Sequence, residues 1–584
     1  GKEPYNSVKF YYDKRTDYNS TFVAGGKLTQ SALLTSIKVF SEGVISKEYG
    51  FTYFNDINSK LYSISLTADG ANYNPTTIKW GGTTKFTPTI KTGLENSFGS
   101  LFDNQLYMGD VNGDGLVDNI KFSAIHPFFL NYKGPRDNFH ADTIYVLCVN
   151  IQGSNDSYIT DTITLPRNTS RMVGTLKVYN KYEVKDIKVL DRDDDGKDEI
   201  IVHYVHKTND NDEGYLLHVT DIVKVYKFNN QFIDTIESSV ELLKQPDGTT
   251  DVYEYYYGDF NNDGTIDRLN VKNKKLVSGT GVSLANSSIV DAIADDIRII
   301  NFNGNGLPDI LILSDFGNGS IWEFNGNQFV QLYTDIASPI FGIPSTLQTA
   351  DFNGDGKTDF ITNYFGNWKL YHSTGNGFVQ NHSFDYEMQD FRAGASITGL
   401  NQMSFFGPAN RNPALYSLEE NIKFSQDSIN AIKHMKDIYD YYSSYCLEDL
   451  NNDGKTDICQ VINGDTYIYL STGSAFKFVK SFLIEALSPH NNFLAQSIQA
   501  IDLNNDGFKE MIYDCVFYDT LDVRLNTSFR RIDFNPADLT DNLYVKGIAD
   551  GMGSQHTITY KTQTDNRLLP NSFPLMLVKG PMQM

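Results

Sequence analysis

Residues 109–120 read GDVNGDGLVDNI and place Asp110, Asn112, Asp114 and Asp118 at near-alternate positions around Gly113 and Gly115. Nearly the same phrase returns as LDRDDDGKDEI from Leu190, GDFNNDGTIDRL from Gly258, INFNGNGLPDI from Ile300, ADFNGDGKTDFI from Ala350, EDLNNDGKTDIC from Glu448 and IDLNNDGFKEMI from Ile501. The first positions of the seven copies are 110, 191, 259, 301, 351, 449 and 502, so the steps are 81, 68, 42, 50, 98 and 53 residues. Self-similarity over such spacings marks solenoids, propellers or arrays, and it takes precedence over any local reading.

Each copy follows D-x-[DN]-x-[DN]-G-x-x-[DE], with small departures such as Asn301 at position one of the fourth, and carries oxygen-bearing side chains at positions one, three, five and nine and glycine at six. Position seven varies freely in type, as expected of a residue that ligates through its backbone carbonyl. The candidate ligands are Asp110, Asn112, Asp114, Leu116 and Asp118; Asp191, Asp193, Asp195, Lys197 and Glu199; Asp259, Asn261, Asp263, Thr265 and Asp267. They continue with Asp351, Asn353, Asp355, Lys357 and Asp359; Asp449, Asn451, Asp453, Lys455 and Asp457; Asp502, Asn504, Asp506, Phe508 and Glu510. Clustered carboxylates repel unless a cation sits among them, and hard oxygen donors without His or Cys select Ca²⁺. The expectation is about six structural calcium sites. The fourth copy, Asn301, Asn303, Asn305 and Asp309, has a single carboxylate and is expected to be weak or empty.

An EF-hand opens the same way but needs a Glu at position twelve and flanking helices. Here position nine runs into NIKF, IIVHYV, RLNV, ILIL, FITNY, ICQVI and MIYDCVF, which read as strands. The loops are therefore hairpin loops. Plain Asn/Asp/Gly turns are the bland reading, and the constancy of position nine over seven copies argues against it.

The wider composition agrees with a β-rich folded chain. Aromatics make up 13% of the 584 residues, dominated by Tyr and Phe, and alternating apolar runs such as TYIYLS and DTIYVLCVN recur. A formal charge of −23 argues against nucleic acid or an anionic membrane as partner. Much of that acidity is in the loops. Six divalent ions would add +12 and leave −11.

These phrases resemble FG-GAP/VCBS repeats, the calcium-loop blades of integrin α-subunit-type β-propellers. After several loops comes a second element, GSIWEFNGNQFV, WKLYHSTGNGFV or TYIYLSTGSAFKFV, that reads as strand, Gly-rich turn and strand. Together they supply most of a four-stranded blade. The fold expected is all-β, a propeller of seven blades favoured over six or eight, closed into a ring. The long step from 351 to 449 has room for a degenerate eighth blade around ASITGLNQMSFFGPANRNPALY. It also holds a helix candidate, SQDSINAIKHMKDIYDYY, with Ile429, Ile432, Met435 and Ile438 behind Ser428.

The two ends resemble the segments flanking the propeller in the SpvB and Tc-toxin B-component family, whose members often lead into Rhs/YD-repeat shells. At the start this rests on ALLTSIKVF, ISKEYGFTYF and KLYSISLTADGANYNPTTIKW, and at the end on YVKGIADGMGSQHTITYKTQTDN and SFPLMLVKGPMQM. The organisation expected is an N-terminal β segment over 1–98, the propeller over 99–535 with a helical insertion near 425–445, and a C-terminal β segment over 536–584. The chain ends at Met584 without YD repeats, so it is expected to be a piece of a longer protein or a short relative, and Gly1 suits a tag scar.

No run of roughly 18 apolar residues suggests a membrane span. Weak calcium loops work where calcium is plentiful, which points to a secreted or surface-displayed bacterial protein that has lost its leader. Cys446 and Cys459 bracket the Asp449 loop and either pair across it or pack as small hydrophobes; Cys148 and Cys515 are unassigned. His203 and His206, three apart on a strand, face opposite sides and cannot share an ion. No Gly-x-Ser-x-Gly elbow, P-loop or His-Glu-x-x-His occurs. The reading is a non-enzymatic binding module that docks or gates through another protein subunit. An adhesin or lectin-like propeller recognising a host protein or glycan is the alternative, and a hydrolase ranks below both.

Overall fold

The computed structural model describes residues 5–23, 26–55, 59–82, 88–92, 104–125, 144–153, 157–173, 176–208, 218–229, 231–242, 253–270, 275–279, 281, 283–286, 296–313, 318–335, 340–341, 347–364, 367–381, 443–462, 465–483, 491–503, 508–519, 525–534 and 544–559. The described residues form strands and turns and contain no helix. The helix candidate behind Ser428 and the possible eighth blade lie outside them.

Seven antiparallel sheets follow one another along the chain, each opened by one of the loops described above. Blade one comprises Asn104–Gly109, Asp118–Ile125, Ile144–Gly153 and Ser157–Thr164. Blade two comprises Leu176–Leu190, Glu199–Thr208, His218–Phe228 and Phe232–Glu241, with Thr169–Val173 added beside its first strand. Blade three is Tyr255–Gly258, Asp267–Asn270, Lys275–Val277 and Ser283–Asn286, and blade four is Asp296–Ile300, Asp309–Leu313, Gly319–Phe324 and Phe329–Asp335. Blade five is Gln348–Ala350, Asp359–Tyr364, Asn367–Ser373 and Phe378–Asn381, and blade six is Ser443–Glu448, Asp457–Ile462, Asp465–Ser471 and Phe476–Leu483. Blade seven takes Asn491–Ile501, Glu510–Asp519 and Leu525–Phe534 from the end of the chain, and its fourth strand is Pro88–Thr92 from before blade one.

That last pairing closes the ring. A propeller made of seven complete consecutive blades would leave two edges meeting side by side; sharing one blade between both ends of the chain joins them through backbone hydrogen bonds. The sequence does not advertise it, because PTIKT carries no blade motif. First strands of blades one and two, three and four, and six and seven lie against each other, which puts them at the axis.

Burial grades outward from there. The second strand of blade four, DILIL, is buried throughout, since blades stack on both of its faces, whereas the fourth strand of blade two, FIDTIESSVE, is mostly exposed. The apolar core fills the spaces between blades. Tyr107, Ile120 and Phe122 of blade one meet Ile187, Ile200 and Val202 of blade two, and Phe302 and Leu311 of blade four meet Phe360 and Tyr371 of blade five. Leu503 and Ile512 of blade seven meet Met108 and Val117 of blade one, so apolar packing crosses the seam between the last blade and the first.

Outside the ring both termini share one open sheet. Its order is Asn6–Val23, Gly26–Ser41, Val44–Asn55, Ser59–Ala68, Ala71–Trp80, Val545–Ala549 and Gln555–Thr557. The GIADGMGSQHT tract thus pairs directly with PTTIKW, Ile548 opposite Ile78. The two sequence tracts that resembled one family's flanking segments are neighbours in space.

Candidate metal centre

The seven loops join first to second strands of their blades, and consecutive loops touch. The backbone N–H at position eight of one loop donates to a carbonyl at position one or two of the preceding loop: Asp198 to Asp110 (2.8 Å), Ile266 to Arg192 (2.9 Å), Thr358 to Asn301 (2.7 Å) and Thr456 to Asp351 (2.9 Å). Val117 reaches Leu503 at 3.5 Å and so links the first loop to the last. In blade four position eight is Pro308, which has no N–H and instead packs against Gly258, the last residue of blade three's first strand before its loop. Lys509 of the seventh loop pairs with Glu448 at 2.6 Å. The loops therefore form a belt on one face of the propeller.

Within a loop the hydrogen bonding repeats. In blade five, Asp351 Oδ1 accepts from Gly354 and Asp355 N–H (2.7 and 3.1 Å) and Oδ2 from Gly356 N–H (2.7 Å). Asn353 Oδ1 accepts from Asp355 N–H, and Asp355 Oδ1 from Lys357 N–H. Glycine at position six has φ from +80° to +87° in the six loops where it is described, as this tight turn requires.

Two further positions carry information that the sequence reading did not extract. Position four is left-handed as well, with φ from +56° to +76°, and it is occupied by Gly113, Asp194, Asn262, Gly304, Gly354 and Asn452, the residue types that tolerate this region. Position two is the anchor. Val111, Phe260, Phe302, Phe352, Leu450 and Leu503 are buried between blades, while Arg192 replaces apolar contact with an ion pair to Glu237 at 3.1 Å.

Position nine also proves to have a task inside the turn. In all seven loops its carboxylate accepts the position-two N–H: Val111 to Asp118, Arg192 to Glu199, Phe260 to Asp267, Phe302 to Asp309, Phe352 to Asp359, Leu450 to Asp457 and Leu503 to Glu510, at 2.7 to 3.2 Å. Turn chemistry therefore constrains position nine, and its constancy does not by itself require a cation. In blades five and six the second oxygen is used as well, accepting Ser373 N–H and Ser471 N–H, both at 2.8 Å.

Other observations bear on whether a hard cation fits. Burial and mutual repulsion push Asp351 and Asp449 up to about 6, and burial raises Asp267 to about 6. Burial followed by the neighbouring Glu323 carboxylate raises Asp309 to about 7. Asp267 Oδ1 and Asp309 Oδ1 are buried with no hydrogen-bond donor. In the second loop the carboxylates of Asp191, Asp193 and Asp195 lie within 4.8 Å of one another, a spacing that needs positive charge beside it, whether a metal or a side chain. Oxygen-only donor sets with under-neutralised, partly desolvated carboxylates fit calcium. Asn504 and Asp506 lie outside the described residues.

The fourth loop is less poor in charge than its sequence implies. Glu323, from the third strand of blade four, accepts from the side-chain amides of Asn303 and Asn305, both at 2.6 Å, and stands opposite Asp309. Its distance along the chain hid it. In the second loop a cation is already present: Lys227 Nζ lies 2.7 Å from Asp193, 2.7 Å from Asp195 and 3.1 Å from Glu199.

The two histidines go to separate partners. His203 is buried and its Nε2 meets Asp221 at 2.7 Å, Asp221 in turn accepting Tyr255 Oη at 2.6 Å; His206 stacks on Tyr182. Cys446 and Cys459 are opposite in register and buried, neither is in a disulfide, and Cys459 Sγ lies 3.6 Å from Met511 sulfur. They pack as small hydrophobes. Among the described residues no helix is long and apolar enough to cross a membrane.

Residues 301–362 and 449–513 match the FG-GAP-like repeat family model. Each match runs from the loop of one blade, four or six, through the loop of the next, five or seven, into that blade's second strand. No curated protein matches the chain. Among solved structures, the Tc holotoxin pore of Photorhabdus luminescens is similar at 12% identity over 94% of this chain and 20% of that one, TM-score 0.44. A lectin from Agrocybe aegerita that recognises non-reducing terminal N-acetylglucosamine is similar at 13% identity over 82% and 90%, TM-score 0.30. The rhamnogalacturonan lyase YesW is similar at 10% identity over 89% and 85%, TM-score 0.33. The chain spans about a fifth of the length of the Tc toxin chain.

Proposed function

We propose that this seven-bladed propeller of FG-GAP-like repeats is a calcium-stabilised, non-enzymatic binding module that docks onto another protein subunit, as part of a secreted or surface-displayed toxin-like or Rhs-like assembly. The observation that carries it is the belt of loops, joined blade to blade by backbone hydrogen bonds, which gathers partly buried carboxylates on one face. Calcium would be held by Asp110, Asn112, Asp114 and Asp118 in blade one, by the corresponding side chains of blades three, five, six and seven, and by the position-seven carbonyls. When bound it supplies the charge that the desolvated carboxylates lack, so that they stay ionised without repelling one another. Calcium sites of this ligand class serve extracellular modules, where the ion is abundant.

Docking is supported by the pairing of strands from before and after the propeller in one open sheet outside the ring, a surface that the closed ring itself does not need. The non-enzymatic reading is supported by the burial of the histidine–carboxylate pairs: His203 with Asp221 and His372 with Asp359 are each 5% exposed or less, out of reach of a substrate. The test is co-expression with the proteins encoded beside it, followed by size exclusion in calcium and in EGTA. A calcium-dependent stoichiometric complex is expected. Binding to a glycan array without any protein complex would replace this reading with the lectin-like one.

A further inference from the structure

One strand position faces the loops from outside. In the third strand of each blade, the residue in register with position nine stands directly across from that carboxylate. It is Glu323 in blade four, opposite Asp309. The registers Phe360 with Tyr371 and Ile458 with Tyr469 put His372 opposite Asp359 in blade five and Leu470 opposite Asp457 in blade six. In blade two the register of Ile200 with Tyr226 puts Lys227 opposite Glu199. In these four blades the position is the last but one residue of the third strand, beside the start of the second strand where the loop ends.

Blade two has the most acidic of the seven loops, with carboxylates at positions one, three, five and nine. Lys227 meets those at three, five and nine together: Asp193 and Asp195 at 2.7 Å and Glu199 at 3.1 Å. These are positions through which the other loops would ligate a metal. Glu199 is 3% exposed, so a charge there needs a partner. The ammonium donates a hydrogen bond to Asp193 and stands within ion-pair distance of Asp195 and Glu199, so one positive charge is shared among three carboxylates.

We infer that Lys227 is the resident cation of the second loop, its ammonium standing where a metal ion would otherwise sit, and that blade two is consequently built to hold its loop without calcium. The inference rests on the calcium reading of the other loops. It assigns a specificity-determining role to the residue across from position nine: an ammonium excludes the divalent ion by charge and by occupying its donors. A blade so equipped keeps its loop ordered when calcium is withdrawn.

The test is calcium stoichiometry by elemental analysis after equilibration in calcium and gel filtration, with thermal unfolding in calcium and in EGTA, for the full chain and for Lys227→Met and Lys227→Arg. Lys227→Met removes the charge and keeps the length. It is expected to bind one more calcium per chain than the parent and to lose melting temperature in EGTA, the loss being reversed by calcium. Lys227→Arg, which retains a cation, is expected to keep the parent's stoichiometry. A Lys227→Met variant that is folded, as judged by its circular dichroism, and binds the same number of ions as the parent overturns the inference. If Lys227→Met does not fold even in calcium, Asp193→Asn decides. With the lysine as cation it lowers stability equally in calcium and EGTA; a loss confined to calcium buffer would mean that the loop binds metal, and would overturn the inference. A metal-free parent would sink the calcium reading, and Lys227→Met taking up one ion would still support the assignment of Lys227.

Discussion

Ser471 Oγ donates to the backbone carbonyl of Phe352 at 2.6 Å, across 119 residues of chain, and so ties the third strand of blade six to position two of the loop of blade five. Ser373 makes the same bond to Phe302 one blade earlier, at 2.7 Å. Both hydroxyls and both carbonyls are buried, so each bond substitutes for water that cannot reach them.

Removing one should therefore leave an unpaired buried carbonyl. Ser471→Ala is expected to cost about 1–3 kcal/mol, read as a shift of the urea midpoint, and Ser471→Thr less where the methyl is accommodated. An unchanged midpoint for Ser471→Ala would mean that the blades are not joined through this bond.

Phe352 occupies position two of its loop, fully buried, and packs edge-on against Phe476 of blade six with ring centroids 5.5 Å apart. Phe352→Ala should cost about 3–5 kcal/mol, with a matching loss in the partner loops' protection from hydrogen exchange. A loss below about 1 kcal/mol would show that the site collapses around the cavity.

Gly354 and Gly356 separate two costs. Both have positive φ, +74° and +80°, but a Cβ at Gly354 would also lie 2.9 Å from the carbonyl oxygen of Gly454 in the next loop, whereas nothing lies within 4 Å at Gly356. Gly356→Ala is expected to cost roughly 1–2 kcal/mol of left-handed strain, and Gly354→Ala distinctly more, because the loops must separate. Equal melting temperatures for the two variants would contradict the close approach of the loops of blades five and six.

Glu183 supplies a pH-dependent term unconnected with calcium. Burial opposes its charge, but the ammoniums of Lys181, Lys207 and Lys185, at 2.8 to 3.0 Å, outweigh burial and hold it down at about 2 from the ordinary 4.5. A depressed carboxyl stabilises the fold above its unfolded value and loses that contribution as pH falls towards its folded value. Glu183→Gln should therefore be less stable at pH 7 by of the order of 1 kcal/mol, the lysines being partly in solvent. The gap should close between about pH 4.5 and 2. A gap that persists at pH 2 would mean that packing, not charge, accounts for it.

Asp351→Ala and Asn303→Ala compare a carboxylate-rich loop with a poor one. The first should lower the melting temperature in calcium and abolish the effect of EGTA on blade five, while the second should shift it little. Equal shifts would show that Glu323 gives the fourth loop a full share of calcium.

Much of this architecture was legible in the sequence because the repeat is short and local. Asp110 to Asp118 encode one turn, and seven copies count the blades. What stayed hidden depends on contacts between distant parts of the chain. Pro88–Thr92 has no motif, because closing the ring asks only for an edge of backbone donors and acceptors opposite Leu525–Phe534. Lys227 and Glu323 lie 28 and 14 residues beyond their position-nine partners, Glu199 and Asp309, so their effect on the loops appears only once the third strand is laid beside the second. Position nine was read as a ligand alone, whereas its bond to the position-two N–H is a turn-closing contact that spacing does not reveal. Position two itself reads as one more apolar residue until the neighbouring blade covers it.

The most direct test of the account is the calcium content of the purified chain, measured together with its thermal unfolding in millimolar calcium and in excess EGTA. Binding to the folded state must raise its melting temperature by mass action. The account predicts bound calcium in the loops of blades one, three, five, six and seven and a marked drop in melting temperature in EGTA. A metal-free protein whose unfolding is the same in both buffers would contradict it, and would leave GDVNGDGLVDNI as a turn held by its own hydrogen bonds.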